Sequence, residues 1–238
     1  MEQIVFFWKG KDITIPKLLV QSIKLIENNK INIIQISDNH TPKVENVDKV
    51  IKLKLPNDIM LARLKAYSFI ETLKNRTFFC DADSILLNSL QLNKFLKGIY
   101  LAKRKKNFFL NYKYPELYPK FINKSAFDVI PFLFGSIIVI EEKNIFSDLL
   151  KICKRLPSRF HRWYGDQVSL HKYYLKFPNT FNFFNQDEYL HLIGSEKKYP
   201  IINIKNLLNN KVKFITFKGP QSINRIKDSY LQLKEIYS

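Results

Sequence analysis

Hydrophobic positions along this chain follow two periods. Runs that are apolar at nearly every position occur at residues 4–8, 31–36, 50–55, 77–80, 136–140 and 213–217. Runs of that length predict strands, and strands buried on both faces. Between them, at 15–26, 58–73, 90–101, 144–156 and 166–176, apolar residues recur every three or four positions, which predicts helices with one buried stripe. Thr14 and Pro16 mark the start of the first helix, since a hydroxyl suits the cap and proline is tolerated in the first turn. Alternating strands and helices predict a doubly wound, parallel α/β sheet. Ligands bind such sheets beyond the carboxyl ends of the strands, so residues just after strands are the first functional candidates. The pattern loosens over 107–134, an irregular aromatic excursion, and resumes over 213–238 as a strand and a helix. Within the excursion, Tyr112, Tyr114, Tyr118 and Phe121 either cover the sheet or offer a stacking platform to a sugar or base.

Composition narrows this picture. The 238 residues are 46% hydrophobic with only 6 Gly and no Ser/Gly/Pro-rich tract, which predicts one globular domain without a flexible linker. No repeat of fixed period is present, and the N-terminus lacks the pattern of a cleaved signal, so export is not expected. The most apolar window, 129–140, holds Pro131 and Gly135 and falls short of the roughly 20 residues of a membrane span. Two cysteines, Cys80 and Cys153, make neither a disulfide framework nor a zinc site, and Cys80 sits in an apolar run as a small core residue. A reducing cytoplasm is the expected compartment. Thirty-nine Lys and Arg against 21 Asp and Glu give +18. That charge either attracts an anionic partner (nucleic acid, acidic membrane, charged glycan or nucleotide diphosphate) or is a scatter of solvated lysines in a chain rich in Lys, Asn and Ile.

The chemistry concentrates in NRTFFCDADSILL, residues 75–87. Asp81 and Asp83 follow the strand at 77–80, and residues two apart in extended chain share a side. Two such carboxylates suit one hard divalent cation that keeps positions for water and for phosphate oxygens. The cation would offset charge on a leaving diphosphate. Taken alone, Asp-x-Asp is also an ordinary turn after a strand.

The longer stretch ARLKAYSFIETLKNRTFFCDADSILL, residues 62–87, resembles the core of family 8 glycosyltransferases, the group of glycogenin and the bacterial lipopolysaccharide galactosyl- and glucosyltransferases. The resemblance implies a GT-A fold: a Rossmann-like α/β domain with a mixed, mostly parallel sheet flanked by helices, here as a single domain over 1–238. It implies a nucleotide-sugar donor, usually a UDP-sugar, and manganese, or magnesium in its place, held by Asp81 and Asp83. Arg63 is then expected at the donor. FLFGSIIVI, 132–140, resembles the family's Phe-Asn-Ala/Ser-Gly strand, with Gly135 close to the donor sugar and Leu133 where the family has Asn. YGDQVSL, 164–170, resembles its Asp-Gln-Asp motif: Asp166 and Gln167 match, as residues facing the transferred sugar, and Val168 does not. FITFKGP, 214–220, resembles the terminal His-Phe-x-Gly segment, whose His is a metal ligand, but Thr216 stands in place of the His. Lys218 and Arg225 remain cations suited to phosphate. By position in a GT-A sheet, Trp8 after the first strand and Asp38 after the second are expected at the base and ribose.

The resemblance implies a metal-dependent glycosyltransferase acting with retention, and a glycan or lipid-linked acceptor is expected. In that case the departing diphosphate takes the acceptor proton and Gln167 stabilises developing positive charge; an inverting enzyme would use Asp166 as base. Net charge alone suggests peripheral association with the acidic inner membrane face. A nucleotidyltransferase is the enzymatic alternative, and only Lys9-Gly10-Lys11 stands where its phosphate loop belongs. A basic nucleic-acid-binding module is the non-enzymatic one. No nucleic-acid partner is expected, because no recognisable binding motif for one is present.

Overall fold

The computed structural model describes residues 1–110, 123–193, 202–218 and 222–237. Seven strands form the main sheet: β1 (Glu2–Phe7), β2 (Asn32–Ser37), β3 (Lys49–Lys52), β4 (Arg76–Cys80), β6 (Gly98–Lys103), β7 (Phe132–Ile140) and β8 (Phe181–Phe184). Their order is β3-β2-β1-β4-β7-β6-β8. All neighbouring pairs are parallel except the two that β7 makes, with β4 and with β6, which are antiparallel. The sheet is therefore mixed and mostly parallel, with helices on both faces.

Alternate residues explain the burial on both faces. Ile4, Phe6, Phe78, Cys80 and Ile138 face helix α1 (Thr14–Glu27) through its Leu19, Val20 and Ile23. Val5, Phe7, Phe79, Ile137 and Val139 pack on Leu64 and Tyr67 of α2 (Ile59–Ser68) and on Phe146 and Leu149 of α4 (Phe146–Lys154). The thiol of Cys80 is buried in the first of these layers, as its apolar setting predicts. A second sheet combines β5 (Ser84–Leu86), β9 (His191–Ile193) and β10 (Phe214–Phe217) in the order β5-β10-β9. Helix α9 (Ser222–Tyr237) covers it, with Ile226 and Leu233 against Ile85, Ile215 and Phe217.

The expected helix over 90–101 is instead a 3-10 turn, Leu92–Lys94, followed by β6. Its apolar residues do not share a face: Leu90 and Leu92 join one layer, Ile99 and Leu101 the other, and Leu96 is 80% exposed. Gly98, at φ +149, breaks the chain direction between them. β7 starts at Phe132, four residues ahead of the expected 136. Short α3 (Ala126–Val129) precedes it, so the excursion is irregular only in part. Tyr112, Tyr114, Tyr118 and Phe121 lie outside the described residues.

Candidate active site

The carboxyl ends of β1, β2, β4 and β6 lie along one edge of the main sheet, and the antiparallel β7 enters from that edge. Register fixes the neighbours. Cys80 pairs with Ser136, and the Asp81 amide donates to the Gly135 carbonyl at 3.0 Å. A Cβ on Gly135 would stand 3.0 Å from Asp81 Oδ2 and 3.1 Å from Leu190 Cδ1. Glycine is needed there so that the strand can pass close beside the carboxylate.

Beyond Cys80 the charged side chains form an alternating chain. Asp81 Oδ1 accepts from Arg63 at 2.6 Å and Oδ2 from Lys218 at 2.8 Å; Lys218 Nζ lies 3.6 Å from Asp83 Oδ2. On its other side, Arg63 pairs with Asp166. Arg63 comes from α2 and lies over the Phe134 ring, 4.8 Å from its centroid. Asp166 stands in the first turn of α6 (Gly165–Lys176), where a carboxylate is favoured, and Gly165 allows that turn to close on α5 (Arg159–Arg162). A Cβ on Gly165 would meet the Phe160 carbonyl at 2.1 Å.

The titration behaviour follows this geometry. Burial favours the neutral acid of Asp81, but Lys218 and Arg63 outweigh it and hold the carboxyl at about 2. Asp83 shifts the opposite way: burial raises its pKa, only partly offset by Lys218, and the Asp81 charge raises it further. Desolvation disfavours the Lys218 ammonium, yet Asp81 and Asp83 raise its pKa above the usual lysine value.

Sequence-expected residues thus converge from five separate segments: Arg63, Asp81 with Asp83, Gly135, Asp166 and Lys218. The two catalytic candidates, Asp166 and Gln167, are each held by an arginine. Asp166 has no exposed surface; its Oδ1 accepts from the Gln167 amide at 2.7 Å and its Oδ2 faces Arg63. In this arrangement its carboxylate is turned onto Arg63. Gln167 is held by Arg104, whose Nη2 donates to its Oε1 at 2.7 Å. Arg104 was not among the expected residues. It follows β6 at the same edge, and reading 98–103 as a strand is the signal that would have found it.

Trp8 and Asp38 lie further along this edge. Trp8 Nε1 donates to the Asp12 carbonyl at 2.8 Å. Asp38 Oδ1 accepts from the Thr41 hydroxyl at 2.7 Å and from the amides of Thr41 and His40, so this carboxylate shapes its own loop. From β2 to β4 is two strand spacings, roughly 10 Å. The Lys9-Gly10-Lys11 loop is engaged with protein, Lys9 Nζ donating to the Pro56 carbonyl and the Gly10 amide to Thr41 Oγ1, which leaves little of a phosphate cradle.

The residues present do not fit the three-ligand manganese site that the resemblance implies. Thr216 Oγ1 lies 3.4 Å from Asp83 Oδ1, but a hydroxyl is a weaker ligand than imidazole. Among the described residues no group of three His, Cys, Asp or Glu side chains is close enough to hold a metal. Of the four histidines, His161 approaches the Cys153 carbonyl and His171 the Val129 carbonyl.

Comparison with solved structures bears on the whole arrangement. The glycosyltransferase GlyE of Streptococcus pneumoniae TIGR4 superposes with a TM-score of 0.60 at 14% identity, over 100% of this chain and 63% of the GlyE chain. The galactosyltransferase LgtC, solved in complex with donor and acceptor sugar analogs, gives 0.57 at 12% identity, over 96% of this chain and 95% of its own. Mouse xyloside xylosyltransferase 1 gives 0.55 at 11%, over 90% and 97%. The chain has the GT-A fold. No protein-family profile and no curated protein sequence matches it. The GT-A chain described here spans less than two thirds of GlyE but nearly all of LgtC. Among its described residues no helix is long and apolar enough to cross a membrane.

Proposed function

We propose that this GT-A domain is a glycosyltransferase that moves a sugar from a nucleotide-sugar donor, most simply a UDP-sugar, to a glycan or lipid-linked acceptor. One observation carries the reading: Arg63, Asp81, Asp83, Gly135 and Lys218, brought from distant segments, meet at the carboxyl edge of the sheet, where such folds bind ligands. On this reading the base and ribose lie along Trp8 and Asp38, and the diphosphate lies over Arg63 and Lys218. The sugar sits against Gly135 and Gln167.

Transfer with retention requires the least of this chain. The bond between the anomeric carbon and the diphosphate breaks with its electron pair staying on the diphosphate oxygen. The acceptor oxygen bonds to that carbon on the same face, and its proton passes to the departing diphosphate. No side-chain base is needed, which agrees with an Asp166 turned inward on Arg63. Arg63 and Lys218 stabilise charge as it builds on the diphosphate.

The test is a panel of nucleotide sugars incubated with the full chain, with nucleoside diphosphate release as the readout. Slow hydrolysis of one donor, lost in Arg63→Met, is expected. Failure of every nucleotide sugar to bind or react refutes the reading. Peripheral membrane association remains a proposal resting on the +18 charge; it predicts sedimentation with acidic-lipid vesicles at physiological salt, and absence of binding removes it.

A further inference from the structure

We propose, resting on the donor reading above, that the ammonium of Lys218 takes the place of the divalent cation in this chain, so that the donor diphosphate binds without metal. Three observations support this assignment. The ammonium bridges the two carboxylates, 2.8 Å from Asp81 Oδ2 and 3.6 Å from Asp83 Oδ2, the position a shared metal ion would occupy. Its location is set by the backbone. The Phe217 amide donates to the Asp83 carbonyl at 3.0 Å and the Lys218 amide to the Ile193 carbonyl at 3.1 Å, while the Lys218 carbonyl accepts from Arg225 at 2.7 Å. The antiparallel pairing of β10 with β5 therefore brings the Lys218 backbone beside the strand end that carries the carboxylates. Finally, Thr216, two residues before Lys218 and opposite Ser84, offers only a hydroxyl where the resemblance implies an imidazole ligand.

A metal and the lysine would compete for the same oxygens. A divalent ion entering between Asp81 and Asp83 must displace an ammonium already held by both, and would gain no third strong ligand in exchange. The Lys218 side chain is 46% exposed, so it also presents donors outward, toward an arriving diphosphate. One ammonium carries half the charge of a divalent ion. Arg63 beside Asp81, Arg104 at the same edge and the +18 net charge supply positive field to the remainder.

Calorimetric titration of uridine, guanosine, adenosine and cytidine diphosphates into the full chain, once with chelator and once with manganese, tests the inference. Binding of one diphosphate in chelator is expected, changed by less than roughly threefold on adding manganese. Lys218→Met should weaken it at least roughly tenfold, the loss of one charge-assisted contact, and Lys218→Arg should retain most of it. Binding that requires manganese, or that survives Lys218→Met in chelator, overturns the inference and leaves the donor reading standing. The native-chain titrations decide the metal requirement even if a variant misfolds. No binding of any diphosphate under either condition overturns the donor reading, and this inference with it.

Discussion

Replacing Arg63 with Met tests how the alternating charges hold this site together. The guanidinium side chain is only 16% exposed and serves two carboxylates. Asp81 keeps Lys218 as a partner after the change, but Asp166, with no exposed surface, loses the cation that faces its Oδ2. Removing one member of a buried pair typically costs about 3–5 kcal/mol, and the retained Lys218 contact places the expectation near the lower end, about 3 kcal/mol. For a domain of this size that is a fall in melting temperature of roughly 6–12 °C. Calorimetric melting across pH gives a second readout. The penalty comes from an ionised carboxylate without a partner, so the gap to the native chain should narrow on acidification. Arg63→Met/Asp166→Asn should recover most of the loss, because the orphaned charge is gone. A fall under about 1 kcal/mol, unchanged by pH and by the second substitution, would refute the reasoning.

Other perturbations separate stability from binding. Asp81, held at about 2, has a folded pKa below its unfolded value, so its contribution, roughly 2 kcal/mol, is present above about pH 4 and lost as pH falls through 2; urea melts from pH 7 to pH 2 check this. Asp83 acts with the opposite sign, since its raised pKa makes the ionised form a cost above that pKa. Asp83→Asn is therefore expected to melt slightly above the native chain at neutral pH and, with an anion removed from beside Lys218, to bind diphosphate no more weakly, a pair of results that melting and titration together decide. Gly165→Ala forces a Cβ onto the Phe160 carbonyl, 2.1 Å away, and should cost on the order of 3 kcal/mol or prevent folding. Gly135→Ala crowds Asp81 at 3.0 Å, and should weaken donor binding with a smaller change in melting. The double variant Thr216→His/Lys218→Ala supplies an imidazole and clears the ammonium; diphosphate binding should then become manganese-dependent, and binding indifferent to manganese would count against the present view of the site.

The sequence by itself determined the alternation of buried strands and amphipathic helices, because continuous apolar runs and a period of 3.6 are local properties of the chain. It also placed Asp81 and Asp83 at the end of a strand, and Arg63 on the helix before it, since both follow from a single stretch of residues. The strand over 98–103 was not legible. Its residues repeat at helical spacing, and only the two layers on opposite faces of the sheet reveal that Leu92 and Ile99 never shared a side. Arg104 was hidden for the same reason. Partners distant in sequence belong to tertiary structure alone. Asp166 reads alike in sequence as a helix-capping acid or a catalytic base, and its pairing with Arg63 exists only in the folded chain. Lys218 has the same composition as a surface lysine; strand pairing of β10 with β5, across more than a hundred residues, puts its charge between two carboxylates. Local pattern sets which elements form, whereas the field at a site is the sum of charges that only the completed sheet brings within a few ångströms.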